Sequence, residues 1–285
     1  TALTVEGDIK VGIGSLHLDS RSVKPGGMFF AVPGTVSDGH DYIELAVETG
    51  AVAVVCERLP ANMHDGVAYV EVADSAEAAG LVSSAFYGHQ SRMLKLVGVT
   101  GTNGTTTTVP LLYDMFRALG YEAGLISTVT YRVGAKSEDA THTTPDPVKL
   151  NSLLAEMVDA GCEYCFMEVS SHSVVQRRIA GLQFAGGIFT NITHDHLDYH
   201  KTFAEYIRAK KEFFYGLPKE AFALVNVDDR NGNVMVQNNR AKVYTMALRS
   251  PADYRCRLIE VHMDGMLLEL DGRQAWVNLI GRFNA

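Results

Sequence analysis

The chain has 285 residues, 47% of them hydrophobic and 20% charged, with 26 glycines and 8 prolines; this excludes a disordered or fibrous protein and allows two domains by length. Lysine plus arginine number 25 against 33 aspartates plus glutamates, a formal net charge of −8, so the chain is no general binder of nucleic acid or anionic membrane, and any anion it holds needs a local site. No apolar stretch approaches the roughly 18 residues of a membrane span, and the first eight residues lack a basic region followed by an apolar one, so no export signal is expected.

Four cysteines, Cys56, Cys162, Cys165 and Cys256, are too few for a disulfide scaffold. Cys162 and Cys165 have redox or half-zinc spacing, but no second pair completes a zinc site. Buried thiols in a reducing compartment are expected, hence a cytoplasmic protein.

In chain order, Met28 to Val32 reads as a short apolar strand. Asp41 to Thr49 has helical spacing and runs into a strand from Ala51 to Cys56. A strand from Ala68 to Val72 precedes an alanine-rich helix from about Asp74 to Tyr87. The polar segment Gly88 to Arg92 reads as a linker, which divides the chain into domains of residues 1–91 and 92–285. Beyond it a strand, Leu94 to Thr100, leads through a Gly/Thr loop into a helix ending near Leu119-Gly120. Further strands are expected at Ala123–Ser127, Tyr164–Val169, Gly187–Asn191 and Ala223–Val227, with helices at Val148–Ala160 and Phe203–Phe214. This alternation predicts an α/β fold with a mostly parallel sheet. Three alternating runs after residue 256 are split by Asp264-Gly265 and Asp271-Gly272, which predicts a small antiparallel sheet at the end. The chain stops at Gly281-Arg-Phe-Asn-Ala285 without a capping element, and a domain boundary is expected there.

The loop from Gly98 to Thr108, with Gly101, Thr102, Asn103, Gly104, Thr105, Thr106 and Thr107, follows a strand and opens a helix. Glycines there let amides converge on an anion at a helix N-terminus. The strict phosphate-loop pattern fails at Val99 and Thr105, and a Gly/Thr turn capping a helix is the plain alternative. Glu168 ends an apolar run, on the ligand side of such a sheet; a helix-capping acid is the other reading. Between His194 and His200, three histidines and two aspartates fall within seven residues, a candidate divalent-ion or phosphate site or else a solvated turn. Lys210 falls inside the apolar stripe of Phe203, Tyr206, Ile207, Phe213 and Phe214. Its amine either snorkels to water or is desolvated and reactive, and spacing leaves both open.

Together these residues resemble the Mur ligases. The resemblance runs through Leu18-Asp-Ser20-Arg21, Asp38-Gly-His40, Gly101-Thr-Asn-Gly104, Thr143-Thr144, Glu168-Val-Ser-Ser-His172 with Gln176 and Arg178, Asp195-His196-Leu-Asp-Tyr-His200 and Ala209-Lys210. It is nearest to the members that add the third amino acid to UDP-N-acetylmuramoyl-L-alanyl-D-glutamate in peptidoglycan synthesis. It implies a small nucleotide-sugar domain followed by a phosphate-loop ATPase domain, with the family's C-terminal domain absent. It also implies that Leu18, Ser20, Thr35, Val36 and Ser37 hold the uridine nucleotide. Thr143, Thr144, Ser170, Gln176 and Arg178 would hold the diphosphate and muramoyl peptide, with His142 at a position often Asn in the family. ATP and Mg2+ are implied, with Thr106, Glu168 and His196 serving the metal and Lys210 carried as a carbamate. The implied partners are the UDP-linked dipeptide, ATP and an amino acid, with diaminopimelate expected over lysine and a monomer expected. The implied chemistry is acyl-phosphate formation and attack by an amine.

Thr105 departs from the family, which has a lysine there. Loss of one preorganised donor of this kind costs roughly 10²–10³ in rate, and with the family's third domain missing as well the chain as given is expected to be inactive as a ligase. The rival is a catalytically silent nucleotide-sugar-binding protein of the same fold. A folate polyglutamate-type ligase is a further alternative, disfavoured by the Leu18–Arg21 and Asp38–His40 stretches.

Overall fold

The computed structural model describes residues 2–35, 37–193 and 200–281. The chain divides into two compact units, one of residues 1–90, 146–155 and 176–182, the other of residues 91–145, 156–175 and 183–285.

The first unit holds a five-stranded sheet of β1 (Ala2–Glu6), β2 (Ser15–His17), β3 (Gly27–Phe30), β4 (Ala51–Cys56) and β5 (Ala68–Val72), ordered β1-β5-β4-β3-β2. All pairs are parallel except β1 with β5. Successive residues of a strand face opposite sides, and the two cores follow from that. Phe29, Val54 and Tyr69 pack with Ile43 and Ala46 of α1 (Ile43–Thr49). Phe30, Val55 and Val72 pack with Ala79 of α2 (Ser75–Phe86). The start of α2 is set by Asp74, whose side chain accepts the Glu77 N–H at 2.8 Å. One face of α2 is open at Gly80, where a Cβ would lie 2.7 Å from the Ala180 Cβ, so the later segment 176–182 seats directly on helix backbone. Ser84 Oγ donates to the Gly181 carbonyl at 3.0 Å, and Arg177 pairs with Asp74 at 3.5 Å.

The second unit holds β6 (Lys95–Thr100), β7 (Ala123–Ile126), β8 (Thr130–Val133), β9 (Lys136–Asp139), β10 (Tyr164–Glu168), β11 (Gly186–Phe189), β12 (Phe222–Asn226), β13 (Lys242–Ala247), β14 (Tyr254–Val261), β15 (Met266–Leu270) and β16 (Arg273–Val277). Their order is β16-β15-β14-β13-β12-β11-β6-β10-β7-β8-β9. From β7 to β14 neighbouring strands are parallel, and the hairpins β8–β9 and β14–β15–β16 are antiparallel. The terminal hairpins continue the edge of the large sheet through the β13–β14 pairing. Strand β6 connects to β7 on one side while its neighbour β11 connects to β12 on the other, so the carboxyl ends of β6 and β11 lie at a topological switch point.

Helix α3 (Thr105–Ala118) packs Val109 and Tyr113 on Val97, Val99, Leu125 and Phe166. α4 (Pro147–Asp159) and the short α5 (Ser171–Val175) follow. α6 (Phe203–Tyr215) starts at Thr202, which accepts the Glu205 N–H at 3.2 Å in a Thr-x-x-Glu arrangement. Cys56, Cys162 and Cys165 are buried, Cys256 is half-buried, and no disulfide joins them. Burial pushes the Cys56 thiol up to about 11 and raises the other three, so all four stay protonated and unreactive at neutral pH.

Candidate functional site

In the second unit, the loop Gly101–Gly104 joins β6 to α3. Gly104 caps the helix in a left-handed conformation (φ 86°), with no side chain closing the first turn, so the first amides of α3 stay open to an anion. The loop is braced from the β11 side. Thr102 N–H donates to the Asn191 carbonyl at 2.8 Å, and Asn103 N–H to Asn191 Oδ1 at 3.0 Å. The Asn103 carbonyl accepts from Thr190 Oγ1 at 2.8 Å and Asn191 Nδ2 at 2.9 Å. Thr102 Oγ1 accepts the Thr193 N–H at 3.0 Å and lies 3.1 Å from Tyr206 Oη of α6.

Glu168, 2% exposed, closes β10. Its Oε2 accepts the Thr106 hydroxyl at 3.1 Å and its Oε1 the Thr128 N–H at 2.8 Å. The carboxylate therefore spans the loop helix and the segment after β7 rather than capping a helix end. Thr144, fully buried, donates to the Glu168 carbonyl at 2.9 Å and accepts the Ser170 N–H at 3.3 Å. Thr143 Oγ1 accepts from Thr128 at 3.2 Å. Thr106, Thr143, Thr144, Glu168 and Ser170 are thus brought together. Beside them His142 N–H donates to Tyr131 Oη at 3.1 Å, and that hydroxyl donates to the His142 carbonyl.

Lys210 is 2% exposed, and its Nζ donates to the Gly101 carbonyl at 2.8 Å and to Thr100 Oγ1 at 3.2 Å. The same amine stands 4.9 Å above the Tyr206 ring. The side chain turns inward to the base of the loop, so the snorkelling reading does not hold. His194 to Tyr199, with His196 among them, lie outside the described residues, as does Val36. His200, at the edge of that segment, shares a 2.8 Å hydrogen bond with Ser171 Oγ and is buried.

The residues present fit a phosphate and a hard cation. A buried carboxylate and a hydroxyl 3.1 Å apart, next to open helix amides, are groups that could share a magnesium ion with phosphate and water. Among the described residues no cluster of three or more His, Cys, Asp or Glu could hold a metal without such help. After β12, Asp229 Oδ2 accepts the Ile192 N–H at 2.8 Å and fixes the segment after β11 that braces the loop. Asp228 accepts the amides of Leu248, Arg249 and Ser250 at 2.7 to 3.0 Å. Burial works against its ionisation, but the Ser250 hydroxyl and these amides prevail and hold its carboxyl down to about 2.

In the first unit a cavity of about 550 Å³ is lined by Leu18, Ser20, Phe29, Gly34, Ser37 and Tyr42, among others. Ser20 is buried, and Asp19 caps its turn by accepting the Arg21 N–H at 3.0 Å. Thr35 is exposed on the loop beside Gly34, whose N–H donates to the Ser37 carbonyl at 2.9 Å. Gln176 and Arg178 are bonded to each other, Oε1 accepting Nε at 3.0 Å and Nη2 at 2.6 Å.

Two family descriptions match the chain: "Mur ligase family, catalytic domain" over residues 12–91 and "Mur ligase middle domain" over residues 99–285. The chain belongs to the Mur ligase family. It is 58% identical over 284 residues to a UDP-N-acetylmuramoyl-L-alanyl-D-glutamate–2,6-diaminopimelate ligase of Cytophaga hutchinsonii, covering 99% of this chain and 58% of that protein. A ligase of the same name from Bacteroides fragilis is 53% identical over 281 residues, with 99% and 58% covered. A solved structure of a ligase of that name superposes with a TM-score of 0.83 at 26% identity, over 95% of this chain and 57% of the other. The chain therefore spans a little under three-fifths of the length of these Mur ligases. No described helix is long and apolar enough to cross a membrane.

Several bracing residues were not singled out by sequence reasoning: Thr128, Asn191, Tyr206, Asp228 and Asp229. Asn191 stood as the last residue of a predicted strand, with nothing to mark it as a brace. Thr128 meets Glu168 through its backbone N–H, which no side-chain pattern announces.

Proposed function

We propose that this chain supplies the nucleotide-sugar-binding and ATP-using parts of a ligase that adds diaminopimelate to UDP-N-acetylmuramoyl-L-alanyl-D-glutamate in peptidoglycan synthesis. The observation that carries the reading is 58% identity across 284 residues to a ligase of that name. Residues 1–91 would hold the uridine nucleotide through Leu18, Ser20 and the 35–37 loop, and residues 92–285 would use ATP. Thr143, Thr144, Ser170, Gln176 and Arg178 would meet the diphosphate and muramoyl peptide, with His142 at their margin. The protein would work as a cytoplasmic monomer.

In the reaction the terminal carboxylate of the peptide takes the γ-phosphoryl of ATP, ADP leaves, and the incoming amine displaces phosphate to form the amide. The open amides of α3 receive the phosphates. Thr106, Glu168 and His196 would hold magnesium, joined by Lys210 as a carbamate. Bound magnesium supplies positive charge between the two anionic reactants. In the chain itself, Glu168 fixes the Thr106 hydroxyl toward the loop, and the buried Lys210 sets the position of the Gly101 carbonyl. Thr105 contributes a hydroxyl where the family has a cation, which lowers the rate of phosphoryl transfer by roughly 10²–10³. That residue favours a second reading, a protein that binds the nucleotide sugar and turns over slowly or not at all.

Calorimetric titration with UDP-N-acetylmuramoyl-L-alanyl-D-glutamate, and separately with a non-hydrolysable ATP analogue in magnesium, tests the proposal. Both ligands should bind, and Ser20→Ala should weaken only the first, by roughly tenfold. A chain that binds neither ligand overturns the proposal; one that binds the UDP ligand but not the ATP analogue, even as Thr105→Lys, supports the second reading.

A further inference from the structure

Behind the wall of the 550 Å³ cavity a histidine is held from two sides. His40 lies in the turn Gly39–Tyr42, and its side chain is 4% exposed. Its Nε2 accepts the Glu57 backbone N–H at 2.8 Å. A ring nitrogen that accepts carries no proton, so the proton of this imidazole is on Nδ1, 2.6 Å from Asp38 Oδ1. The same carboxylate oxygen accepts the His40 N–H at 2.9 Å, and the other accepts Arg58 at 2.7 Å. Glu57 in turn accepts the N–H and hydroxyl of Ser75, both at 2.9 Å, at the start of α2. The imidazole thus ties Asp38 to the end of β4 and, through Glu57, to a helix.

Its place on the loop makes that tie matter. Residues Gly34, Ser37 and Gly39 line the cavity, and His40 does not. Gly39 N–H donates to the Val32 carbonyl at 3.0 Å, and a bridge pairs Pro33 with Asp38. These backbone bonds close the loop on itself, while Asp38 and His40 fasten it to the rest of the unit.

We propose that His40, as a neutral imidazole donating from Nδ1 to Asp38 and accepting at Nε2 from Glu57, is a positioning residue that holds Gly34, Ser37 and Gly39 where they receive the uridine nucleotide. The inference rests on reading this cavity as the nucleotide-sugar site. It assigns a role in ligand recognition to a residue that never touches the ligand, and it makes affinity depend on one tautomer.

The test uses the whole 285-residue chain, with UDP-N-acetylmuramoyl-L-alanyl-D-glutamate titrated by calorimetry. Magnesium with a non-hydrolysable ATP analogue serves as the control. His40→Ala should weaken the UDP ligand roughly tenfold while the ATP analogue stays within about twofold. His40→Asn, whose amide can donate to Asp38 in place of Nδ1 but is too short to stand in for Nε2 as well, should recover part of the loss. UDP-ligand affinity within about twofold of wild type in His40→Ala overturns the proposal, as does an equal loss for both ligands, which marks general destabilisation. Should His40→Ala fail to fold, His40→Asn decides: a loss of about threefold confined to the UDP ligand supports the proposal, and no loss overturns it. A wild-type chain that binds the ATP analogue but not the UDP ligand overturns the reading of the cavity itself.

Discussion

In the first unit, Ser20, Gly34 and Ser37 surround an open volume, and the groups that shape it, Asp38, His40 and Glu57, stand behind its wall. In the second unit, Thr102 and Asn103 of the loop before α3 are themselves bonded to Asn191 and Thr193, and Thr106 to Glu168. The cavity is a shape held from outside, whereas the loop is a set of groups already engaged with one another. A hollow site loses affinity when its support is cut at a distance. A self-bonded loop responds to changes within it, because the bonds of Thr102, Asn103 and Thr106 hold the open amides of α3 in place.

The largest effect should come from cutting the loop's central tie. Glu168→Gln removes the charge that accepts from Thr106 and Thr128 in a buried setting, where such hydrogen bonds are worth about 1.5–3 kcal/mol. Affinity for the ATP analogue in magnesium should fall roughly tenfold to a hundredfold, with the UDP ligand unaffected. Equal losses for both ligands would break the contrast. A smaller effect of opposite sign is expected from Thr105→Lys, which adds a cation at the open N-terminus of α3. ATP-analogue affinity should rise several-fold, about 1 kcal/mol, in a titration at low salt, and the gain should shrink with added salt. A variant without any gain would mean that the loop does not present its amides to phosphate.

The smallest effect is in acid stability. Asp228 ionises at about 2 in the folded chain against an ordinary 3.8, so its contribution is present above 3.8 and is lost as pH falls toward 2. Asp38, held well below the usual carboxylate range by the His40 N–H, Arg58 and the His40 ring, acts in the same direction. Denaturant midpoints measured from pH 5 down to 2.5 should decline, and less steeply in Asp228→Asn. Parallel curves would remove Asp228 as a source of the decline.

Much of the scaffold was legible because burial writes itself into the pattern. Ala51–Cys56, Ala68–Val72 and Met266–Leu270 have the bounds that their apolar runs predict. The β8–β9 hairpin was not legible, since Lys136–Asp139 is an edge strand with no apolar residue and is fixed by pairing alone. β13 was missed for a related reason: only Ala247 of its six residues is buried. Glu168 and Lys210 were legible as chemistry inside apolar runs, a polar group where burial demands a partner. What could not be read was the partner: the Thr128 amide that meets Glu168 lies 40 residues away, and the Gly101 carbonyl that meets Lys210 lies 109 away. The Asp38–His40–Glu57 tie was visible only as part of a motif, because its far end is a backbone N–H.

The seat of residues 176–182 on α2 fixes an order of events during synthesis. Gly80 and Ser84 are made early, but the Ala180 and Gly181 that cover them emerge from the ribosome about a hundred residues later. The first unit therefore cannot close when its own sheet is complete. It must wait for β6, α3 and β10 to be translated, so its nascent form carries an uncovered helix face through that interval. A chain interrupted anywhere between residues 91 and 175 would hold all five strands of this sheet and still lack its last piece.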